Sequence, residues 1–180
     1  MKVLTLLGSP KKDGNTAALL KAFTDGAASK GHEVEAVWLH EKNITPCNGC
    51  RFCKVDGVGT SKCVHDDDMT ELYRTLKDAD VIVHAFPVYW WSMPAQTKVM
   101  MDRIYAMDYS LFNGKAMYFL TTYNGTDPNS GAALCENTLK EICAYLGMDF
   151  KGSIAVSART TPVKENKEAL ERAFRMGTEV

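Results

Sequence analysis

Short apolar runs alternate along this chain with stretches that carry a helical apolar stripe, and this alternation limits the fold more than any other feature. Apolar runs that no polar residue interrupts are typical of strands that are covered on both faces of a parallel sheet. The second run is more polar than the others and suits an edge strand. In chain order, the predicted strands cover residues 3–7, 34–39, 81–86, 116–120 and 154–156.

Helical signals lie between these runs. Asn15 or Thr16 is expected to cap the first helix, and Asp68 with Glu71 is expected to form a capping box for the second, which runs to about residue 77. Five strands that alternate with five helices predict a doubly wound α/β fold with helices on both faces of the sheet. The length of 180 residues predicts a single domain, 1–180. The other helices are expected at about 15–31, 94–107, 130–147 and 164–175.

The charge balance excludes some classes of protein. The chain has 21 basic and 22 acidic side chains, a net charge of −1, whereas a nucleic-acid-binding protein is usually strongly basic. No apolar stretch approaches the roughly 18 residues of a membrane span, and the N-terminal apolar run is too short for a secretory signal. We therefore expect a cytoplasmic protein with neither nucleic acid nor membrane as a partner.

The turn after the first predicted strand has the features of an anion site. Residues 8–16 combine two glycines, hydroxyl and amide donors, two lysines and the start of a helix, whose free N–H groups favour phosphate. The turn matches neither the nucleotide-triphosphate P-loop nor the dinucleotide fingerprint. It therefore suits a terminal monophosphate, and the alternative is a capped turn without a ligand.

Two further loops follow predicted strands and would meet the first loop at one edge of the sheet. Residues 86–94 hold three consecutive aromatic residues between two prolines, which suits a wall for a planar ring; the alternative is a packing or dimer surface. Residues 121–127 are rich in hydrogen-bond donors and would form a polar rim. A phosphate site, a wall for a flat ring and a polar rim together predict a site for flavin mononucleotide (FMN).

These motifs resemble those of the flavodoxin-like NAD(P)H-dependent FMN reductases. The resemblance rests on Gly8-Ser9-Pro10, Gly14-Asn15-Thr16 and the run from Pro87 to Gln96, and it spans residues 1 to about 157. A second stretch, from Cys47 to Cys53 followed by Cys63, is similar to the iron–sulfur flavoprotein branch. The resemblance implies a flavodoxin-like five-stranded parallel sheet with strand order 2-1-3-4-5.

The resemblance also implies which residues hold the cofactor. The FMN phosphate would be held by Ser9, Lys11, Asn15, Thr16 and Ala17. The flavin ring would be wrapped by Pro87, Val88, Tyr89, Trp90, Trp91, Ser92 and Met93. Its other edge would be contacted by Thr122, Tyr123, Asn124 and Gly125.

The predicted connection at about residues 40–67 is long for a compact domain and holds four of the six cysteines. Three of them have the spacing Cys-x2-Cys-x2-Cys, which resembles the start of a ferredoxin motif and could ligate a [4Fe–4S] cluster with a fourth thiolate. Nine residues separate the third cysteine from the fourth, more than is usual in the iron–sulfur branch. A loop of free thiols, a zinc site and a disulfide are the alternatives. The candidate ligands are Cys47, Cys50, Cys53 and Cys63.

The remaining cysteines and histidines give no second site. Cys135 and Cys143 share an apolar helix stripe, and His84 lies within a predicted buried strand, so all three are expected in the core. No side chain stands out as an acid–base catalyst, and hydride transfer to a flavin needs none.

We therefore predict an FMN-dependent oxidoreductase that takes electrons from NAD(P)H and passes them to a quinone, a flavin or a protein acceptor. The alternative is a non-enzymatic iron–sulfur and FMN electron-transfer protein. The three aromatic side chains of residues 89–91 cannot all face one flavin, so a homodimer or homotetramer is expected.

Overall fold

A computed structural model describes residues 1–180. The chain forms seven strands and five α-helices, with short 3-10 turns at Leu39–Glu41, Ile104–Ala106, Tyr109–Phe112 and Val163–Glu165. In chain order the elements are β1 (Lys2–Leu7), α1 (Asn15–Ser29), β2 (Glu33–Trp38), β3 (Lys54–Val55), β4 (Val58–Gly59), α2 (Met69–Asp78), β5 (Val81–Pro87), α3 (Ala95–Arg103), β6 (Ala116–Tyr123), α4 (Ser130–Leu146), β7 (Asp149–Ser157) and α5 (Lys167–Thr178).

The main sheet has five parallel strands in the order β2-β1-β5-β6-β7. When only these five are numbered along the chain, the order is 2-1-3-4-5, so the flavodoxin-like prediction is confirmed. The strands β1, β5 and β6 are buried over almost their whole length, whereas β2 is half-exposed at the edge. Their apolar runs are continuous because helices cover both faces of the sheet.

The helices divide between the two faces. On one face α1 and α5 pack on the sheet, with Leu19, Phe23 and Ala173 among the buried side chains. On the other face α2, α3 and α4 bury side chains such as Leu76, Met100 and Leu139. The two predicted core cysteines of α4, Cys135 and Cys143, are buried on this second face, and burial raises the pKa of each thiol to about 11. None of the helices combines the length and the apolar character needed to cross a membrane.

Asp68 is the N-cap residue of α2, as predicted, but neither of the two predicted caps forms its capping hydrogen bond, because the side chains have distant partners. The N-cap of α1 is Gly14, which has no side chain that could form a capping hydrogen bond. The Asn15 and Thr16 side chains bond to other parts of the chain instead. At α2 the Asp67 carboxylate accepts the Met69 N–H at 3.1 Å, whereas Asp68 accepts the Asn43 N–H at 2.7 Å. Carboxylates that fasten the long connection thus replace the expected capping box.

Other boundaries also differ from the predictions. The helix α3 ends at Arg103 and gives way to a 3-10 turn, so it is shorter than the predicted 94–107. The last helix begins at Lys167, because a separate 3-10 turn precedes it, and β7 is longer than the predicted run of three residues. The connection at about 40–67 holds the hairpin of β3 and β4.

Candidate functional site

Two side chains, one from β2 and one from α3, hold the loop between β1 and α1 in place. Trp38 Nε1, at the end of β2, donates to the Ser9 carbonyl at 2.7 Å, and Gln96 Nε2, in α3, donates to the Gly8 carbonyl at 2.9 Å. Ser9 is buried, and its Oγ accepts the Lys11 N–H at 3.2 Å. A Cβ at Gly8 would lie 2.0 Å from Thr97 Oγ1, so only glycine permits this close approach of α3.

The loop ends at a helix N-terminus that no side chain caps. The first N–H groups of a helix have no carbonyl partner within the helix. At α1 the N-cap residue is Gly14, which has no side chain to accept a hydrogen bond from them. The positive end of the helix dipole also lies here, and Lys11 is exposed beside it. These groups fit an anion such as a terminal phosphate.

A buried hydrogen bond connects this helix to the end of β6. The hydroxyl oxygens of Thr16 and Thr122 lie 2.7 Å apart, and both side chains are buried. Asn15 Oδ1 accepts the Val163 N–H at 3.0 Å, so this side chain fixes the segment before α5 while its amide N–H groups stay unbonded to protein.

The aromatic loop after β5 forms a tight turn with two tryptophans at its tip. Tyr89 and Ser92 exchange backbone hydrogen bonds of 2.8 and 3.0 Å, and Val88 N–H donates to the Thr122 carbonyl at 2.9 Å. Trp90 and Trp91 have φ angles of 49° and 61°, in the left-handed region that bulky residues rarely adopt. Strain of this kind persists only where surrounding contacts impose it, and it concentrates at functional sites.

On the side of Val88 and Trp91, the turn is held by α4. Trp91 Nε1 donates to Ser130 Oγ at 3.1 Å, and a Cβ at Gly131 would lie 2.6 Å from Val88 Cγ1, so the start of α4 presses against the loop. Trp90 has no such anchor. Its side chain is 90% exposed and meets the Trp91 ring edge-on at a centroid distance of 5.6 Å.

The third loop, after β6, is ordered by its own polar contacts. The Tyr123 hydroxyl donates to Asp127, and burial followed by this hydrogen bond raises the pKa of Tyr123 to about 12. Ser157 Oγ donates to the Gly125 carbonyl at 2.6 Å, and Asn129 Oδ1 caps α4 by accepting the Ala132 N–H at 3.0 Å. Asn124 is exposed.

The structure brings the three predicted loops to one edge of the sheet, the carboxyl ends of β1, β5 and β6. The hydrogen bonds through Thr122 join all three. Met93 is the exception among the predicted residues, because its buried side chain packs into the core under α3. Trp38 and Gln96 were missed by the sequence reasoning; their positions after β2 and early in α3 were the available signal. The groups left open at this edge fit a monophosphate and a flat ring.

The cysteine loop is fastened at its base by a buried ion pair. Arg103 Nη1 lies 2.7 Å from Asp67 Oδ2, and the two side chains are 1% and 3% exposed. Arg103 also donates to the Thr45 carbonyl at 2.6 Å, and Asp67 accepts the Thr45 N–H at 2.9 Å. One arginine at the end of α3 therefore holds both ends of this loop.

The cysteines themselves do not converge. Cys47 and Cys50 are exposed, Cys53 is buried and Cys63 is partly buried, and no three His, Cys, Asp or Glu side chains lie close enough to hold one metal ion. Burial, with a smaller effect of the neighbouring thiols Cys63 and Cys47, raises the pKa of Cys53. As arranged, the four side chains do not fit an iron–sulfur cluster, so the predicted ligand set stays a prediction.

Comparisons with known proteins identify the family of this chain. The model of the NADPH-dependent FMN reductase family matches residues 1–162. An iron–sulfur flavoprotein of Archaeoglobus fulgidus is 30% identical over 181 residues, which cover 100% of this chain and 79% of that protein. One from Methanocaldococcus jannaschii is 40% identical over 103 residues, 57% of this chain and 51% of the relative, so the match spans about half of that protein.

A solved structure shows the same fold. The NAD(P)H:quinone oxidoreductase from Methanothermobacter marburgensis has a TM-score of 0.74 at 18% identity, with 99% of this chain and 95% of that chain covered. The predicted family is confirmed by the match over residues 1–162. This chain belongs to the NADPH-dependent FMN reductase family.

Proposed function

We propose that this chain binds FMN at the edge formed by the three loops and works as an NAD(P)H-dependent oxidoreductase whose electron acceptor is a quinone, a flavin or a protein. Bound FMN would supply the hydride and electron chemistry, and the chain would supply binding, orientation and electrostatics. The observation that carries the proposal is the uncapped N-terminus of α1, which the Thr16–Thr122 hydrogen bond places at the same edge as the strained aromatic turn.

The phosphate end of the cofactor would be held without a bound metal. The N–H groups of the first turn of α1 would donate to the phosphate, with the Ser9 and Thr16 hydroxyls and the Asn15 amide beside them and Lys11 supplying positive charge. Trp38 and Gln96 would act indirectly, because their hydrogen bonds fix the carbonyls of this loop.

The ring end would be held between the second and third loops. Residues 87–92 would supply the wall for the flavin, and the strained turn would fix the directions of the two tryptophan rings before binding, which lowers the ordering cost. Residues 122–125 would border the ring from β6, where the buried Thr122 and Tyr123 are already locked by hydrogen bonds.

The relatives that are named iron–sulfur flavoproteins support a second candidate function, electron transfer between proteins. Steady-state kinetics separates the two functions. The enzyme should oxidise NADH or NADPH continuously in the presence of a small quinone, whereas a carrier would be reduced once and stop.

The cofactor is tested on the protein as purified. Heat-released flavin is identified by chromatography, and we expect FMN, because the first loop offers one phosphate site and no second glycine loop for an adenylate. A preparation that releases mainly FAD, or that takes up no FMN when the apoprotein is titrated, contradicts the proposal.

A further inference from the structure

A second cavity lies between the sheet and the helices α3 and α4. Met93, at the end of the aromatic loop, and Cys47 and Gly49 of the cysteine loop also line it. Its volume is about 580 Å³, within the range of small-molecule sites. The sheet forms its floor through Ile82 and Met117, and Ile142 and Leu146 of α4 form a wall. The mouth is bordered by the exposed Tyr105 and Tyr145 and by the ion pair of Lys98 and Asp102, whose charged atoms lie 2.5 Å apart.

One polar side chain in this apolar space has no partner. His84 lies in the middle of β5, is 3% exposed and lines the cavity, and its Nδ1 makes no hydrogen bond. Buried polar atoms are nearly always paired, so an orphaned one needs an explanation. Burial lowers the pKa of His84 to about 4, so at pH 7 the ring is neutral, with one nitrogen that donates and one that accepts.

We propose that this cavity binds a flat, uncharged aromatic molecule with a single hydroxyl or carbonyl group, which forms a hydrogen bond with His84. The apolar walls favour a ring system, and a hydroxyl or a carbonyl can each satisfy a neutral imidazole. A charged ligand is disfavoured, because the charges at the mouth already neutralise each other and the interior offers none. The site goes beyond the proposed function, since the flavin edge lies at the ends of the strands and His84 lies within the sheet.

His84 lies on the floor of the cavity, and this position favours a small molecule over a protein surface. His84 is paired in register with Leu6 of β1 and Phe119 of β6, at the centre of the sheet. A volume of about 580 Å³ is that of a small-molecule site rather than of a protein-docking surface.

The test is calorimetric titration of the purified flavoprotein with 2-naphthol and with naphthalene, which lacks the hydroxyl group. We expect His84→Phe to weaken 2-naphthol binding about 10-fold, the usual effect of one lost hydrogen bond, and to leave naphthalene binding unchanged. Ile142→Trp should fill the cavity and abolish binding of both compounds. The matched control is Leu134→Trp, an exposed position on the same helix outside the cavity, which should bind both like the wild type.

The flavin absorbance during the titration separates this site from the flavin edge. It should stay unchanged, because 2-naphthol in the cavity does not stack on the ring. Failure of 2-naphthol to bind up to its solubility limit overturns the proposal, as does binding that Ile142→Trp leaves intact or that shifts the flavin spectrum. If His84→Phe does not fold, His84→Leu, which also removes both ring nitrogens, is compared instead. The heat of binding is measured independently of NAD(P)H oxidation. The cavity site and the proposed function can therefore be contradicted independently of each other.

Discussion

Thr16 and Thr122 lie 106 positions apart in the chain, yet their hydroxyl oxygens share a buried hydrogen bond of 2.7 Å. This bond places the first turn of α1 against the end of β6, and the neighbouring Val88 N–H donates to the Thr122 carbonyl at 2.9 Å. The threonine pair therefore connects the start of α1, through β6, to the aromatic loop.

Thr16→Ala should weaken FMN binding by about 1–3 kcal/mol, because it removes a hydroxyl beside the phosphate and leaves the buried Thr122 hydroxyl without its partner. Fluorescence titration of the apoprotein with FMN measures the change. Thr16→Ser keeps the hydroxyl and should bind nearly as the wild type does. Equal affinity of the alanine variant and the wild type would count against a phosphate at this helix.

Asp67→Asn should lower the free energy of unfolding by about 3–5 kcal/mol, because it leaves the Arg103 guanidinium buried without its counter-charge. Urea denaturation measures the loss. Asp66→Asn, the same substitution at the exposed neighbour, should change stability by less than about 0.5 kcal/mol. Similar stabilities of the two variants would mean that the ion pair does not hold the loop.

The ion pair of Arg103 and Asp67 also predicts that the stability of the protein depends on pH in the acid range. Burial by itself would raise the pKa of the Asp67 carboxyl, but its hydrogen bonds from Arg103, Thr45 and Met69 outweigh this and hold the pKa below the ordinary 3.8. The stabilisation is therefore complete above pH 3.8 and is lost as the pH falls through the folded pKa.

His84 should make the protein less stable in mild acid, at a higher pH than Asp67 does. Burial lowers its pKa from 6.5 to about 4, so the unfolded chain takes up the proton first and stability falls as the pH drops below 6.5. The expected loss between pH 7 and pH 5 is about 2 kcal/mol. Denaturation curves of the wild type and His84→Phe measure it: the stability of the wild type should fall by this amount relative to that of the variant, and a difference that does not change with pH would contradict the neutral buried ring.

Trp90→Gly should stabilise the fold by about 0.5–1 kcal/mol and at the same time weaken FMN binding, since glycine adopts the left-handed conformation without strain but offers no ring. Urea denaturation and the FMN titration are run on the same preparation. Trp91→Gly is the informative comparison, because it also loses the hydrogen bond to Ser130 and should gain less stability. A Trp90 variant that is destabilised would show that the turn is not strained.

The exposed aromatic tip also predicts a homo-oligomer. Trp90 is 90% exposed and Tyr89 and Trp91 are also exposed, an arrangement typical of surfaces that a second subunit covers. Light scattering at micromolar concentration should give two or four times the chain mass of 19.9 kDa. A mass near that of one chain contradicts this expectation, and Trp90→Asp should shift an oligomer toward the single chain.

The strand order and the three-loop edge could be predicted because each depends on short stretches of sequence. Apolar runs identify the buried strands, and parallel strands bring their carboxyl ends together, so the loops at 8–14, 87–94 and 122–127 had to meet. The absence of the capping hydrogen bonds of α1 and α2 could not be predicted, because Asn15 and Asp68 bond to Val163 and Asn43, and no local pattern identifies such distant partners.

The buried ion pair and the cavity beside His84 could not be predicted from the sequence, for a related reason. Arg103 appears in the sequence as one more charge at a helix C-terminus, and Asp67 as the middle of an acidic run. Only the packing of α3 against the cysteine loop removes both from water. Likewise, burial of His84 followed from its strand, but the empty space beside it depends on how α3 and α4 rest on the sheet.

Because Arg103 bonds to both Thr45 and Asp67, the segment between them is an insert whose two ends are held next to each other. Lengthening or shortening such an insert changes the closure entropy only with the logarithm of its length. The middle of the insert also belongs to the fold, because Cys53 is part of the core and the Ser61 N–H donates to the Ala106 carbonyl at 2.8 Å. A protein engineer could therefore exchange the exposed residues 46–52 for a different metal-binding or peptide-binding sequence without altering the scaffold that holds the other loops.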